Sequence, residues 1–295
     1  MTETGNRANT TQWESEEWYI ERSELNPGFG IALTKDRVLF HERSEFQEVE
    51  IFENRLFGNV MLIDNLVMVT EKDEFVYHEM IVHVPMCVNP DATAALVIGG
   101  GDGGTVRELV KYPAMERIDM VEIDRMVCDV ARQYLPTLSR ALDHEKVNLV
   151  YEDGIQFVKN TPDSIYDLVI VDSTDPVGPG EVLFTEEFYR DCIRILKDDG
   201  IMTNQSETPF VGEDMVRGVC RKVREVFPFF RPYYGVIPTY PGALWLFGFA
   251  SKGVDPLHDM RTEAWNRLGL ATRYYNTALH TACFALPTFI QKLCE

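Results

Sequence analysis

Apolar and polar residues alternate with a period of two through residues 49–54 (VEIFEN) and again through residues 59–71 (NVMLIDNLVMVTE), as half-buried β-strands require. Asp64-Asn65 divides the second run at the place of a two-residue hairpin turn. Residues 13–70 are therefore expected to form a small antiparallel β domain behind an N-terminal extension, residues 1–12. Thr70 and Asp73 then suggest a capping box that opens a helix over residues 71–84, stopping before Pro85.

Beyond Ala94 the rhythm changes. Strand-like ALVI, IDMVEI, VNLVYED and DLVIVDS are interleaved with helix-like TVRELVKY, RMVCDVARQYL and EEFYRDCIRIL; GIMTNQ, a helix reaching Phe227, YYGVIPTY and ALWLFGFAS follow. Such alternation predicts an α/β domain over residues 71–295, built on a doubly wound, mostly parallel sheet.

A hydrophobic content of 45% over 295 residues is ample for its core. Six cysteines lie far apart with no C-x-x-C pair, so neither a disulfide framework nor a zinc ribbon is indicated. The first dozen residues lack the apolar segment of a signal peptide and no run of 18 apolar residues occurs, which predicts a cytoplasmic protein. With 28 basic against 47 acidic residues the formal charge is −19 and the pI about 4.7, which argues against nucleic acid and anionic membranes as partners. The same charge attracts a cationic substrate, although acidity also serves plain solubility.

In open parallel sheets ligands bind outside the carboxyl ends of the strands. Those ends carry Asp102, Glu122, Asp153-Gly154, Asp172 with Asp175, and Gln205 with Glu207, so five consecutive strands deliver acidic or amide groups to one edge. Gly99, Gly101 and Gly104 satisfy the G-x-G-x-x-G spacing of a dinucleotide site, and Glu122 stands 18 residues later, where a carboxylate takes ribose hydroxyls. Asp102 is the misfit. A carboxylate about 4 Å from a phosphate charge costs on the order of 4 kcal/mol at an effective dielectric near 20. An inward Asp102 therefore implies a nucleoside with positive charge beside its ribose, a sulfonium such as S-adenosylmethionine. The decarboxylated form fits best, because Asp102 repels the carboxylate of the ordinary one.

Residues 172–181 (DSTDPVGPGE) supply two carboxylates and a proline-punctuated loop able to close over the site. Attack on a carbon beside a sulfonium expels a neutral thioether, so only the nucleophile must be prepared. A primary amine with a pKa of about 10.4 costs roughly 4 to 5 kcal/mol to deprotonate near neutrality, and Asp172 is the natural acceptor of that proton, with Asp175 holding neighbouring positive charge. His78 and His83 imitate a zinc-protease motif with one residue too many, about 140° apart on a helix, and are not expected to share a metal. His78 at the start of its helix is a candidate for substrate contact, and Tyr240, read as ending a strand, is either a core aromatic or a wall for an alkyl chain.

Taken together FGNVMLID, TEKDEFVYHEM, VIGGGDGG, VEID, DSTDPVGPGE, LFTEEFY, IPTYPG and the YYN before HTACFALP resemble the spermidine synthase, or polyamine aminopropyltransferase, family across about residues 13–290. The resemblance implies a methyltransferase-like Rossmann sheet behind a small β domain, in a homodimer or homotetramer. It implies that Gln47, Glu122, Asp153, Gly154 and Pro179 hold thioadenosine. His78, Asp102, Asp172 and Asp175 would hold the amines, with Tyr77, Gln205 and Tyr240 along the diamine channel and Asp172 as proton acceptor. Decarboxylated S-adenosylmethionine would be a co-substrate, putrescine the acceptor, and no cofactor or metal would be needed. Cadaverine, agmatine and spermidine remain alternative acceptors, and a putrescine N-methyltransferase, a non-catalytic partner and an NAD-dependent dehydrogenase are the competing classes. Asn65 stands where the family commonly has glycine, a replacement asparagine tolerates at positive φ.

Overall fold

The computed structural model describes residues 16–22, 28–174 and 183–295. Asp175, Pro179, most of the 172–181 loop and the extension over residues 1–12 lie outside the described residues.

Strands β1 (Trp18–Ile20) and β2 (Ala32–Thr34) pair antiparallel, and β3 (Arg37–Arg43), β4 (Glu48–Asn54), β5 (Gly58–Ile63) and β6 (Leu66–Thr70) form a four-stranded meander. The turn at Asp64-Asn65 is the expected two-residue hairpin: both residues have positive φ, 46° and 63°, and Ile63 pairs directly with Leu66. One face of the meander, with Val49, Ile51, Met61, Ile63 and Val69, packs against Val127, Val130 and Ala131 of a helix in the second part of the chain.

Helix α1 (Glu74–Val88) departs from expectation at both ends. Asp73 is its N-terminal flanking residue but makes no side-chain cap; its carboxylate instead accepts Thr70 Oγ1 at 2.6 Å and the Thr239 N–H and hydroxyl at 3.0 and 2.7 Å. Nor does the helix stop before Pro85. Proline removes the N–H that would bond the Ile81 carbonyl, and the buried Thr203 hydroxyl supplies the substitute, donating to Ile81 O at 3.1 Å. With that carbonyl satisfied, the helix runs one further turn, whose Met86, Cys87 and Val88 are buried in the core and whose Cys87 carbonyl accepts the Arg261 N–H at 2.8 Å.

The main sheet contains β7 (Ala94–Gly99), β8 (Arg117–Glu122), β9 (Val147–Tyr151), β10 (Tyr166–Asp172), β11 (Leu196–Gln205), β12 (Phe229–Val236) and β13 (Leu244–Ser251), in the order β12-β13-β11-β10-β7-β8-β9. The pairs from β9 through β11 are parallel and β13 is antiparallel to both neighbours. Helices α2 (Gly104–Leu109), α3 (Arg125–Tyr134), α4 (Pro136–Ser139), α5 (Gly154–Asn160), α6 (Glu186–Ile195) and α7 (Glu213–Val226) connect the strands, and two apolar clusters, one on each face, show the sheet is doubly wound as expected. Strand β12 begins earlier and ends earlier than the YYGVIPTY pattern indicates. Tyr240 therefore sits in the turn between β12 and β13, where Gly242 and Ala243 at positive φ (75° and 60°) reverse the chain.

Thr203→Val is expected to destabilise the fold by about 1 to 3 kcal/mol by orphaning the Ile81 carbonyl. In a Pro85→Ala background the cost should shrink, because the alanine restores the missing backbone donor; a double-mutant cycle of thermal unfolding checks this.

Candidate active site

Chain order reverses between β7 and β10, so their carboxyl ends diverge into a crevice. The cleft there is walled by the glycine loop after β7, by the ends of β8, β10 and β11, by Asp153-Gly154, by α1, and by β6 and Glu21 of the N-terminal sheets. It brings together Gln47, Tyr77, His78, Asp102, Glu122, Asp153, Gly154, Asp172, Gln205 and Tyr240.

The glycine loop is shaped around the protein's own charged groups. Gly99 (φ 82°) lies against the Asp172 carbonyl, where a Cβ would collide, and Gly100 N–H bonds that carbonyl at 2.8 Å. Gly104 lies flat against the His78 ring, which any side chain would displace. Glycine is thus needed for close approach of α1 and β10, and a carboxylate at position 102 is compatible with it.

Asp102 Oδ1 accepts the Gly104 N–H at 2.6 Å and faces His78 Nε2 at 3.3 Å. The other ring nitrogen, Nδ1, contacts Glu74 Oε2 at 2.7 Å. Burial opposes charge on this ring, but carboxylates on both sides overcome it and lift His78 from 6.5 to about 10. Arg107 closes the chain, bonding Glu74 through both terminal nitrogens at 2.9 and 2.8 Å and Glu108 through Nε at 2.9 Å. Glu74, despite the opposing effect of burial, is held down at about 2 by His78 and Arg107. His83 lies at the far end of the same chain, against Glu108 at 3.0 Å and Tyr112 at 2.7 Å, so the two histidines do not converge on one point.

At the end of β10, Asp172 accepts the Thr105 hydroxyl on Oδ2 at 2.6 Å and a hydrogen bond from Tyr77. Burial and the Asp102 charge push its pKa up, while His78 and the two hydroxyls pull it back. Glu122 is raised to about 7, first by burial, then by Asp124 and Asp172 against the Asp124 N–H bond at 2.9 Å. Gln47 and Ser44 of the N-terminal domain both donate to Asp124 Oδ2, at 3.1 and 2.7 Å, which ties the two domains beside Glu122. Asp153 caps α5 through the Ile155 N–H at 2.8 Å while bordering the cleft. The Gln205 side-chain Oε1 accepts the Glu207 N–H at 3.1 Å and, among the described residues, its buried Nε2 has no partner. The Tyr240 hydroxyl donates to Met68 O at 2.6 Å and its ring meets Trp245 edge-on at 4.7 Å, so it presents aromatic surface to the cleft.

The sequence reading missed Glu74, Thr105, Arg107, Trp245 and Glu21. Glu74 was open to discovery, one helical turn before His78; the others carry no local signal. Among the described residues no cluster of metal-binding side chains occurs and no helix is long and apolar enough to cross a membrane.

A crevice at the switch point of a doubly wound sheet, lined by buried Glu122 and half-buried Asp102 and Asp172, places the chain among the α/β proteins that take ligands at the carboxyl edge of the sheet. Residues 74–260 match the family model described as the spermine/spermidine synthase domain, and residues 17–71 the one described as the spermidine synthase tetramerisation domain. Polyamine aminopropyltransferases of Alkaliphilus oremlandii and Clostridium beijerinckii are 50% and 51% identical over 94% of this chain and 98% and 97% of theirs. A spermidine synthase solved with the transition state analogue AdoDATO superposes with a TM-score of 0.91 at 40% identity, over 94% of both chains. The Thermotoga maritima spermidine synthase gives 0.91 at 39%, over 95% of this chain and 94% of its own. The chain belongs to the spermine/spermidine synthase family, the polyamine aminopropyltransferases.

Since His78 titrates near 10 in place of 6.5, its pairing stabilises the fold fully below pH about 6.5 and is lost as pH rises through about 10. Thermal unfolding between pH 6 and 10.5 should show the wild type losing stability more steeply than His78→Gln over that interval.

Proposed function

We propose that the protein transfers the aminopropyl group of decarboxylated S-adenosylmethionine to putrescine, giving spermidine and methylthioadenosine. The observation that carries this reading is the pairing of Asp102 with His78 and Gly104 through one oxygen only. Among the described residues Oδ2 accepts nothing, and it is available to the ammonium of a decarboxylated donor. Glu122 takes the ribose hydroxyls, and Gln47, Asp153 and Gly154 border the rest of the thioadenosine. Pro179 and Asp175, outside the described residues, are assigned to the same roles as the family resemblance implies.

The diamine lies along Tyr77, Gln205 and Tyr240: the two tyrosine rings suit a methylene chain, and Gln205 Nε2, unpartnered among the described residues, is the polar atom the protein leaves open there. The acceptor nitrogen attacks the carbon beside the sulfonium; the N–C bond forms, the C–S bond breaks with its electrons moving to sulfur, and Asp172 takes the nitrogen's proton. His78 acts through Asp102: an imidazolium donating from both nitrogens has no lone pair for an ammonium, and it faces Asp102 Oδ1 while, among the described residues, Oδ2 stays open. No metal or cofactor enters this scheme. The acidic net charge draws both cationic substrates to the cleft. The tetramerisation-domain match over residues 17–71 supports a homodimer or homotetramer.

Mass spectrometry of products from the protein with putrescine and either donor tests the reading. Spermidine and methylthioadenosine are expected with the decarboxylated donor alone; N-methylputrescine from ordinary S-adenosylmethionine would overturn it. Asp102→Asn is expected to weaken the decarboxylated donor by roughly 10-fold or more, on the scale of a lost charged hydrogen bond, and methylthioadenosine hardly at all. Calorimetric titration compares them, and equal weakening of both would assign Asp102 to loop shape only.

A further inference from the structure

Asp172 is the group on which the proposed chemistry turns, and its surroundings are hostile to a carboxylate. Burial and two further carboxylates, Asp102 on the glycine loop and Glu122 at the end of β8, work against its charge. On the favourable side stand His78 and the Tyr77 hydroxyl, both from α1, and the Thr105 hydroxyl from α2. Thr105 differs from the other groups in position. It is fully buried behind Asp172, does not border the cleft, and reaches only the carboxylate, at 2.6 Å on Oδ2. As the second residue of α2 it has no helical carbonyl four residues back, so its proton is free of the usual internal competitor. The backbone beneath Asp172 is separately pinned by Gly100 N–H, which leaves the side-chain torsions as the freedom that Thr105 removes.

We propose that Thr105 is a positioning residue, fixing the orientation of the Asp172 carboxylate toward the acceptor amine and favouring its ionised form by donating to Oδ2. This rests on the proton-acceptor role of Asp172 set out above. Thr105 touches no substrate, so its contribution falls on kcat and on the protonation of Asp172, and not on donor affinity, which Asp102 governs.

Thr105→Val removes the donor at nearly constant volume. The expected result is a fall in kcat of about ten- to a hundred-fold, the scale of a hydrogen bond to a charged group, with the KM for decarboxylated S-adenosylmethionine unchanged. Because the lost bond lowers the Asp172 pKa, the acid limb of kcat/KM should move to higher pH. Thr105→Ser, which keeps the hydroxyl, should hold that limb at the wild-type position, while Thr105→Ala should move it as valine does; the serine–alanine comparison decides the matter if valine prevents folding. An unmoved acid limb in Thr105→Val or Thr105→Ala, or a serine variant as impaired as alanine, would overturn the proposal and leave Thr105 a packing residue. Asp172→Asn separates the two layers. If it abolishes turnover while Thr105→Val leaves both kcat and the acid limb at their wild-type values, only the positioning role fails; if it turns over like the wild type, the proton-acceptor role fails first.

Discussion

Several carboxylates crowd one edge of a sheet, some buried and some half-buried, and a buried carboxylate keeps its charge only where donors and cations surround it. The chain from Asp102 through His78, Glu74 and Arg107 to Glu108 answers that need with alternating charge. Its spacing comes from α1, which sets Glu74 and His78 one turn apart, and from α2, which brings Arg107 beneath them. Breaking one link leaves an uncompensated buried charge, which is far more costly than replacing the whole set. The glycines of the β7 loop follow from the same constraint, since the imidazole and the end of β10 occupy the space a side chain would need.

The arrangement divides labour between the faces of the crevice. In the proposed reaction Glu122, raised toward neutrality by burial, is assigned the ribose, where a carboxyl need only hydrogen-bond. Asp102 and Asp172 are assigned the amines, where charge matters, and each accepts hydrogen bonds from donors of the protein. The N-terminal domain is not a passive appendage: Gln47 and Ser44 grip Asp124 beside Glu122, Thr70 donates to Asp73, and Tyr240 returns its hydroxyl to Met68 of β6. The cleft is complete only because these contacts seat the β domain against the sheet.

The hairpin at Asp64-Asn65 and the acids at the strand ends were legible in the sequence because each rests on a local rule, a pair of positive-φ residues or the position just past a strand. Fold class was legible through the switch from a period of two to alternating strand and helix. The misreadings are equally local in origin. Proline ordinarily stops a helix because it wastes a carbonyl, and nothing near Pro85 announces that Thr203 will use it. The Thr70–Asp73 pair looked like a cap until Thr239, far along the chain, claimed the second carboxylate oxygen.

By itself, then, the sequence determined the elements, the edge of the sheet to which chemistry is delivered, and the misfit of Asp102 with a phosphate ligand, since these depend on spacing and charge along the chain. Only the tertiary structure decided which oxygen of each carboxylate is taken, that His78 lies between two acids, and that Thr105 stands behind Asp172. Hydrogen bonds and pKa shifts depend on distances of a few ångströms between groups tens of residues apart, and those distances are set by packing.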